Sequence, residues 1–290
     1  MRQTYGTLLP GMKLCDLAGK LIVIEGTDGV GRTTQINLLR PWLEELGHAV
    51  LDTGMTRSAL AGDGIRRAKE GNNLGRVTQS LFYATDFVDR LENEIVPALR
   101  AGFVVLTDRY IYSLIARAMV RGVDPLWIRS LYSTALKPDA VFYLRLGMDQ
   151  LIPRVIFSRG FDYWESGMDF YPGHDMFESF CNYQRALLAE FDRLSIEYNF
   201  ETVDASPDAR IVFSLLKSRI SEVLATNFHR PSIPILESAA ERIAASREIP
   251  AASAFGDHGS RDVELLLRPF TAASAARNGN SNNHSHVSGD

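Results

Sequence analysis

Cysteine is nearly absent: Cys15 and Cys181 are the two in 290 residues, and they stand far apart in the chain. A disulfide framework and a thiolate metal cluster are therefore not expected, and a reducing, cytoplasmic compartment is. No apolar run approaches the roughly 18 residues that a membrane span requires. The amino-terminal stretch MRQTYGTLLPGMKLCDLAGK also lacks the continuous apolar core and cleavage site of a signal peptide. An excess of positive charge is missing too: 31 Lys and Arg face 35 Asp and Glu, giving a formal net charge of -4 and a pI near 5.9. That argues against a nucleic-acid partner, which needs a basic footprint, but leaves room for a local basic pocket around a phosphate. What remains, 46% hydrophobic and 23% charged residues without an internal repeat, is the composition of an ordinary globular protein.

Across residues 20–226 short apolar runs alternate with helical stretches. The runs are Leu21–Glu25, Ala49–Asp52, Phe103–Thr107, Ala140–Leu144 and Phe200–Val203. Continuous apolar runs of this length suit strands buried on both faces, so an α/β fold is expected, with a five-stranded parallel sheet and helices on both faces. Helical periodicity covers Thr33–Leu46, ending at Gly47, then Arg76–Leu99 with a bend near Pro97, Leu126–Leu136 and Glu178–Leu194. Residues 1–19 read as an amino-terminal extension. Residues 227–290 turn to alanine, serine, proline and asparagine and end in RNGNSNNHSHVSGD. Such a tail buries too little apolar surface to offset its ordering entropy and is expected to be largely disordered, with weak amphipathic pieces at Ile235–Arg247 and Arg261–Phe270. The pair His284 and His286 fits a solvated tail better than a metal site.

The chemistry is concentrated where the first run meets the first helix. Gly26-Thr27-Asp28-Gly29-Val30-Gly31-Arg32-Thr33 matches the phosphate-binding pattern G-x-x-x-x-G-K-[S/T] at every defined position except one, where Arg32 replaces lysine. Glycines let successive backbone N–H groups point inward, and the positive end of the helix dipole adds to the same nest, so a nucleoside triphosphate is the expected ligand. The three-layer fold is then that of the P-loop nucleoside triphosphatases. Thr33 offers a hydroxyl for Mg²⁺, and the cation at Arg32 spans the transferring phosphates. Asp108, directly after the run Phe103–Thr107, stands at the strand end where open α/β sheets bind ligands. Its carboxylate suits Mg²⁺ through water, and Arg109 beside it suits an acceptor phosphate. A strand-end turn with a local ion pair has the same sequence.

These residues resemble the thymidylate kinase family of nucleoside monophosphate kinases, over about Leu21 to Leu224. GTDGVGRTT is similar to the family's G-x-D-G-x-G-K-T-T, and LFYATDFVDRLENEIVPALRAGFVVLTDRYIYS resembles its aromatic helix, proline turn and Asp-Arg-Tyr-x-x-Ser signature. Lys137-Pro138-Asp139 is like its Pro-Asp, Val203-Asp204-Ala205 like its last strand, and Arg159–Glu165 like the mobile lid over the phosphates. The resemblance implies Mg²⁺-dependent transfer of the ATP γ-phosphate to dTMP in a homodimer. It assigns Gly26, Thr27, Asp28, Gly29, Val30, Gly31, Arg32, Thr33 and Thr34 to ATP, and Thr33 and Asp108 to the metal. Asp28, Tyr83, Phe87, Arg109 and Ser113 fall to the acceptor, and Arg32, Arg109 and Arg159 are the catalytic residues, Arg32 and Arg159 offsetting developing charge and Arg109 orienting the acceptor.

The chain also departs from that pattern. After the second run it has Gly54-Met55-Thr56-Arg57, without the family's acidic residue. Phe87 stands where the family's base-reading arginine is expected, and Arg117-Ala118 replace its Tyr-Gln pair. In the lid Tyr163 replaces an arginine, and about eight residues are inserted around Gly167–Asp175. A site that loses buried polar groups loses discrimination, so selection among pyrimidine monophosphates is expected to be weaker than the resemblance implies. Tyr83 and Phe87 lie four apart on one helical face, a spacing that core packing also produces. Two other readings stay open: a kinase for a different phosphorylated small molecule, and a nucleotide-binding member without turnover.

Overall fold

The computed structural model describes residues 2–71, 74–158, 160–171 and 173–226. Arg159 and the tail from residue 227 onward, with the expectations attached to them, lie outside the described residues. The five apolar runs form five strands: β1 (Lys20–Glu25), β2 (Val50–Gly54), β3 (Val104–Asp108), β4 (Ala140–Arg145) and β5 (Glu201–Asp204). Their order is β2-β3-β1-β4-β5, and every pairing is parallel. The central strand β1 is buried along its whole length. Its residues alternate between the two layers, Leu21 and Val23 joining one apolar cluster and Ile22 and Ile24 the other. That alternation is the period of a strand covered on both faces. Ile24 is in register with Asp108, so the start of the glycine loop and the end of β3 come level.

Two helices fall where periodicity puts them: α1 (Arg32–Glu45) and, later in the chain, Met176–Glu197. The helix expected over Arg76–Leu99 is divided into α3 (Arg76–Arg90), a wide π turn (Leu91–Ile95) and α4 (Val96–Arg100). The irregular turn precedes Pro97 because proline cannot donate to the carbonyl of Asn93 and its ring crowds that group. The helix expected over Leu126–Leu136 is shorter, Pro125–Leu131, because the chain turns there to bring Leu136 into a bridge with Thr4. Among the described residues four α-helices have no counterpart in the periodicity reading: α2 (Gly62–Glu70) before α3, α5 (Ile111–Val120), α7 (Met148–Ser158) and α9 (Ala209–Ala225). Pro125–Leu131 is α6 and Met176–Glu197 is α8.

Residues 2–19 pack against the domain. Leu9, Met12 and Leu17 are buried, the hydroxyls of Tyr5 and Tyr112 meet at 2.6 Å, and Arg2 pairs with Asp139 at 2.9 Å. The sequence change near residue 19 therefore marks the start of the sheet and not the edge of the packing. No described helix is long and apolar enough to cross a membrane.

Candidate active site

Helix α1 begins without a side-chain cap. Gly31 precedes it at φ 103°, and no acidic residue stands in the first turn. The N–H groups of the first turn thus have no internal carboxylate to bind, and an external anion suits them. Glycine is required at Gly26, where φ is 145° and a Cβ would come within 2.6 Å of the Leu144 carbonyl oxygen. Beyond the loop opens a cavity of about 760 Å³. Asp28 to Thr34 line one side of it, Arg109, Arg154 and Glu165 add charge, and Ala205–Ala209 close the far side. Thr33 and Thr34 are exposed, Gly26, Thr27 and Val30 buried.

Arg32 is folded back on the loop. Its Nη1 donates to the carbonyls of Gly26, at 2.5 Å, and of Thr27, while Nε donates to Asp108 Oδ1 at 2.7 Å. The other oxygen of Asp108 accepts from the Thr33 hydroxyl at 3.1 Å. Hydroxyl and carboxylate therefore stand together at the head of α1, which fits Mg²⁺, an ion held by one or two protein oxygens together with substrate phosphates. No group of three or more His, Cys, Asp or Glu side chains is close enough to hold a metal by itself among the described residues.

Asp28, 2% exposed, accepts from Arg109 on one oxygen and from Arg117 of α5 on the other, with Arg32 Nη2 at 3.8 Å. Arg109 has φ 68°, a left-handed conformation that costs a non-glycine residue about 1–3 kcal/mol. Its backbone is fixed by an N–H bond to Ile24 and by the Thr107 hydroxyl on its carbonyl, at 3.0 and 2.6 Å. The strain is the geometric condition for turning the guanidinium back toward the loop from a strand end.

Beneath this pair lies Glu25, fully buried. It accepts from the N–H groups of Tyr110 and Ser113 and from the Ser113 hydroxyl at 2.6 Å. Ser113 thus supports Glu25 and does not line the cavity beyond the loop. Desolvation pushes the Glu25 pKa above its ordinary 4.5, against the opposing effect of these hydrogen bonds. Folding therefore binds the proton more tightly, and stability from this group falls as pH rises from about 4.5 through the raised value. Comparing Glu25→Gln with wild type by calorimetry, the wild-type melting temperature should drop relative to the variant between acidic and neutral buffer. A pH-independent gap between the two would refute this.

A second cavity, about 10 Å³, lies between α3, α5 and the chain after α7. Gln79, Tyr83, Arg117, Arg121, Tyr132 and Trp164 line it. Tyr83 is thus a wall of this cavity, but Phe87 is not. Phe87 is fully buried, edge-on to Tyr110 and Tyr132 at centroid distances of 5.2 and 5.5 Å, and acts as core packing. The segment resembling a lid is packed down in this structure. Trp164 is 3% exposed and donates from Nε1 to Lys69 O at 2.9 Å. Arg121 holds Asp169 through Nε and Nη2 at 2.7 and 2.9 Å and the Trp164 carbonyl at 2.9 Å. Within the inserted stretch Gly167 is pressed on the Tyr183 ring, where a Cβ would meet it at 2.7 Å. Periodicity had no means of finding Arg154, Glu165, Trp164 or Tyr132. The departure at Arg117, the acceptor assignment of Tyr83 and the lid-like stretch Arg159–Glu165 were the sequence signals pointing into this region.

The family model for thymidylate kinase matches residues 24–167. A probable thymidylate kinase 2 of Saccharolobus solfataricus is 38% identical over 192 residues, covering 66% of this chain and 90% of that protein. A probable thymidylate kinase of Pyrococcus horikoshii is 35% identical over 145 residues, 48% of this chain and 71% of its own. The thymidylate kinase of Brachyspira hyodysenteriae is 28% identical over 210 residues, 71% and 95% of the two chains. The similarity to the Saccharolobus protein over nine-tenths of its length, with the phosphate loop and the strand-end Asp-Arg pair falling inside the matched region, places the chain in the thymidylate kinase family.

Proposed function

We propose that this chain is a dTMP kinase, taking the γ-phosphate from ATP in the larger cavity and giving dTDP in the smaller. One observation carries the reading: Asp28 joins the two cavities, pairing with Arg109 of the first and Arg117 of the second. An oxygen of the acceptor phosphate, already anionic, attacks the γ-phosphorus, and the bond to the β–γ bridging oxygen breaks to leave ADP. The first-turn N–H groups of α1 hold the donor phosphates. Arg32 offsets the charge that develops on the transferring group, and Arg109 orients the acceptor, its planar fork matching a phosphate dianion. Thr33 and Asp108 would hold Mg²⁺, which would neutralise phosphate charge. Admission of a nucleoside to a cavity of about 10 Å³ requires the Trp164 side to give way. That closure is also what favours the second reading, a nucleotide-binding member without turnover. By family analogy the protein is assigned a homodimeric state and a cytoplasmic location.

Two measurements decide. ATP with Mg²⁺ should raise the melting temperature, by an amount equivalent to about 2.7 kcal/mol at a hundredfold excess over Kd. Absence of any shift with millimolar nucleotide would sink the donor assignment. ATP consumption should then depend on an added monophosphate, dTMP among a panel; a thermal shift without such consumption selects the reading without turnover.

A further inference from the structure

Tyr132, at the end of α6, has a hydroxyl with no hydrogen-bond partner among the described residues, although the residue is 1% exposed. Its ring sits in the apolar cluster and packs edge-on against Phe87 at 5.5 Å and 82°. Phenylalanine would fill that space without leaving a polar atom unsatisfied, so packing alone does not account for the hydroxyl. Tyr132 also lines the cavity beside Tyr83 and Arg117. Phe87, its packing partner, stands where the resemblance expects a base-reading arginine. The polar group missing from position 87 thus reappears on the neighbouring ring.

We infer that Tyr132 is a specificity-determining residue, its hydroxyl hydrogen-bonding the polar edge of the acceptor's pyrimidine base. The inference rests on the assignment of the smaller cavity to the acceptor. A guanidinium only donates and so reads ring carbonyls, whereas a hydroxyl donates or accepts. Thymine and uracil present a carbonyl where cytosine presents an amino group. A hydroxyl reader therefore serves both classes, and the acceptor class is pyrimidine monophosphates with either a keto or an amino edge. Burial holds the phenol's pKa well above its ordinary value, which keeps the proton available for donation.

The test is steady-state kinetics of wild type and Tyr132→Phe with dTMP and with dCMP at saturating ATP and Mg²⁺, with melting temperatures measured alongside. Wild type should use dCMP with kcat/KM within about tenfold of dTMP. Tyr132→Phe should raise KM for both by roughly tenfold, with kcat and the KM for ATP little changed and no loss of melting temperature. An unchanged acceptor KM overturns the inference. So does a lowered melting temperature with unchanged KM, the signature of a hydroxyl bridged through water to the buried, unpartnered Nη1 of Arg90. Rejection of dCMP by a thousandfold or more removes the dual-edge claim. A wild type that turns over no monophosphate fails earlier and differently, at the functional assignment itself.

Discussion

Arg32→Ala is expected to lower kcat by about 10²–10³-fold, the range for removing one preorganised charge donor from a transition state. Arg32→Lys is expected to retain a substantial part of the activity. In this structure the guanidinium reaches two loop carbonyls and Asp108 at once. A lysine ammonium carries the charge but lacks the planar fork that makes those contacts together. The alanine variant also leaves Asp108 and the loop carbonyls without this partner, so some stability is lost as well. Melting temperatures therefore accompany the kinetics, and the lysine variant separates charge from scaffolding. Equal turnover in wild type and Arg32→Ala would show that position 32 takes no part in transfer.

Asp28→Ala should be the most destabilising single change at the site. It takes from Arg109 and Arg117, whose side chains are 11% and 10% exposed, the carboxylate they share. Removing one partner of a buried ion pair costs about 3–5 kcal/mol because an uncompensated charge stays behind. For a domain of this size the melting temperature falls by roughly 10 °C. The same logic gives a rescue. With Asp28 gone, a phosphate anion is the natural counter-ion for the two guanidiniums, so inorganic phosphate should stabilise the variant more than it does wild type. An unchanged melting temperature, or an equal phosphate effect on both proteins, would show that the arginines are held by something other than Asp28.

The strands and the glycine loop were legible before any coordinates. Each of the five runs lies within a residue or two of an observed strand, because continuous burial on both faces is written in consecutive side chains. Gly26 to Thr33 were legible for the same local reason: a nest of N–H groups needs particular residues at fixed spacing. Helix α5 was not, since Ile111 to Ala118 are all buried, and its polar residues Ser113 and Arg117 are turned inward to Glu25 and Asp28 instead of marking a solvent face.

The roles that Phe87, Arg117, Trp164 and Tyr132 can play belong to the tertiary structure. Tyr83 and Phe87 share one helical face, yet one lines a cavity and the other is sealed between Tyr110 and Tyr132. The Arg117–Asp28 pair joins residues 89 apart in sequence, and Trp164 meets Lys69 across 95. Periodicity and turn chemistry act through bonds between residues a few positions apart, so a single sequence displays them. Ion pairs, orphan hydroxyls and cavities depend on which distant side chains the packed sheet and helices bring within about 3 Å of one another, the reach of a hydrogen bond.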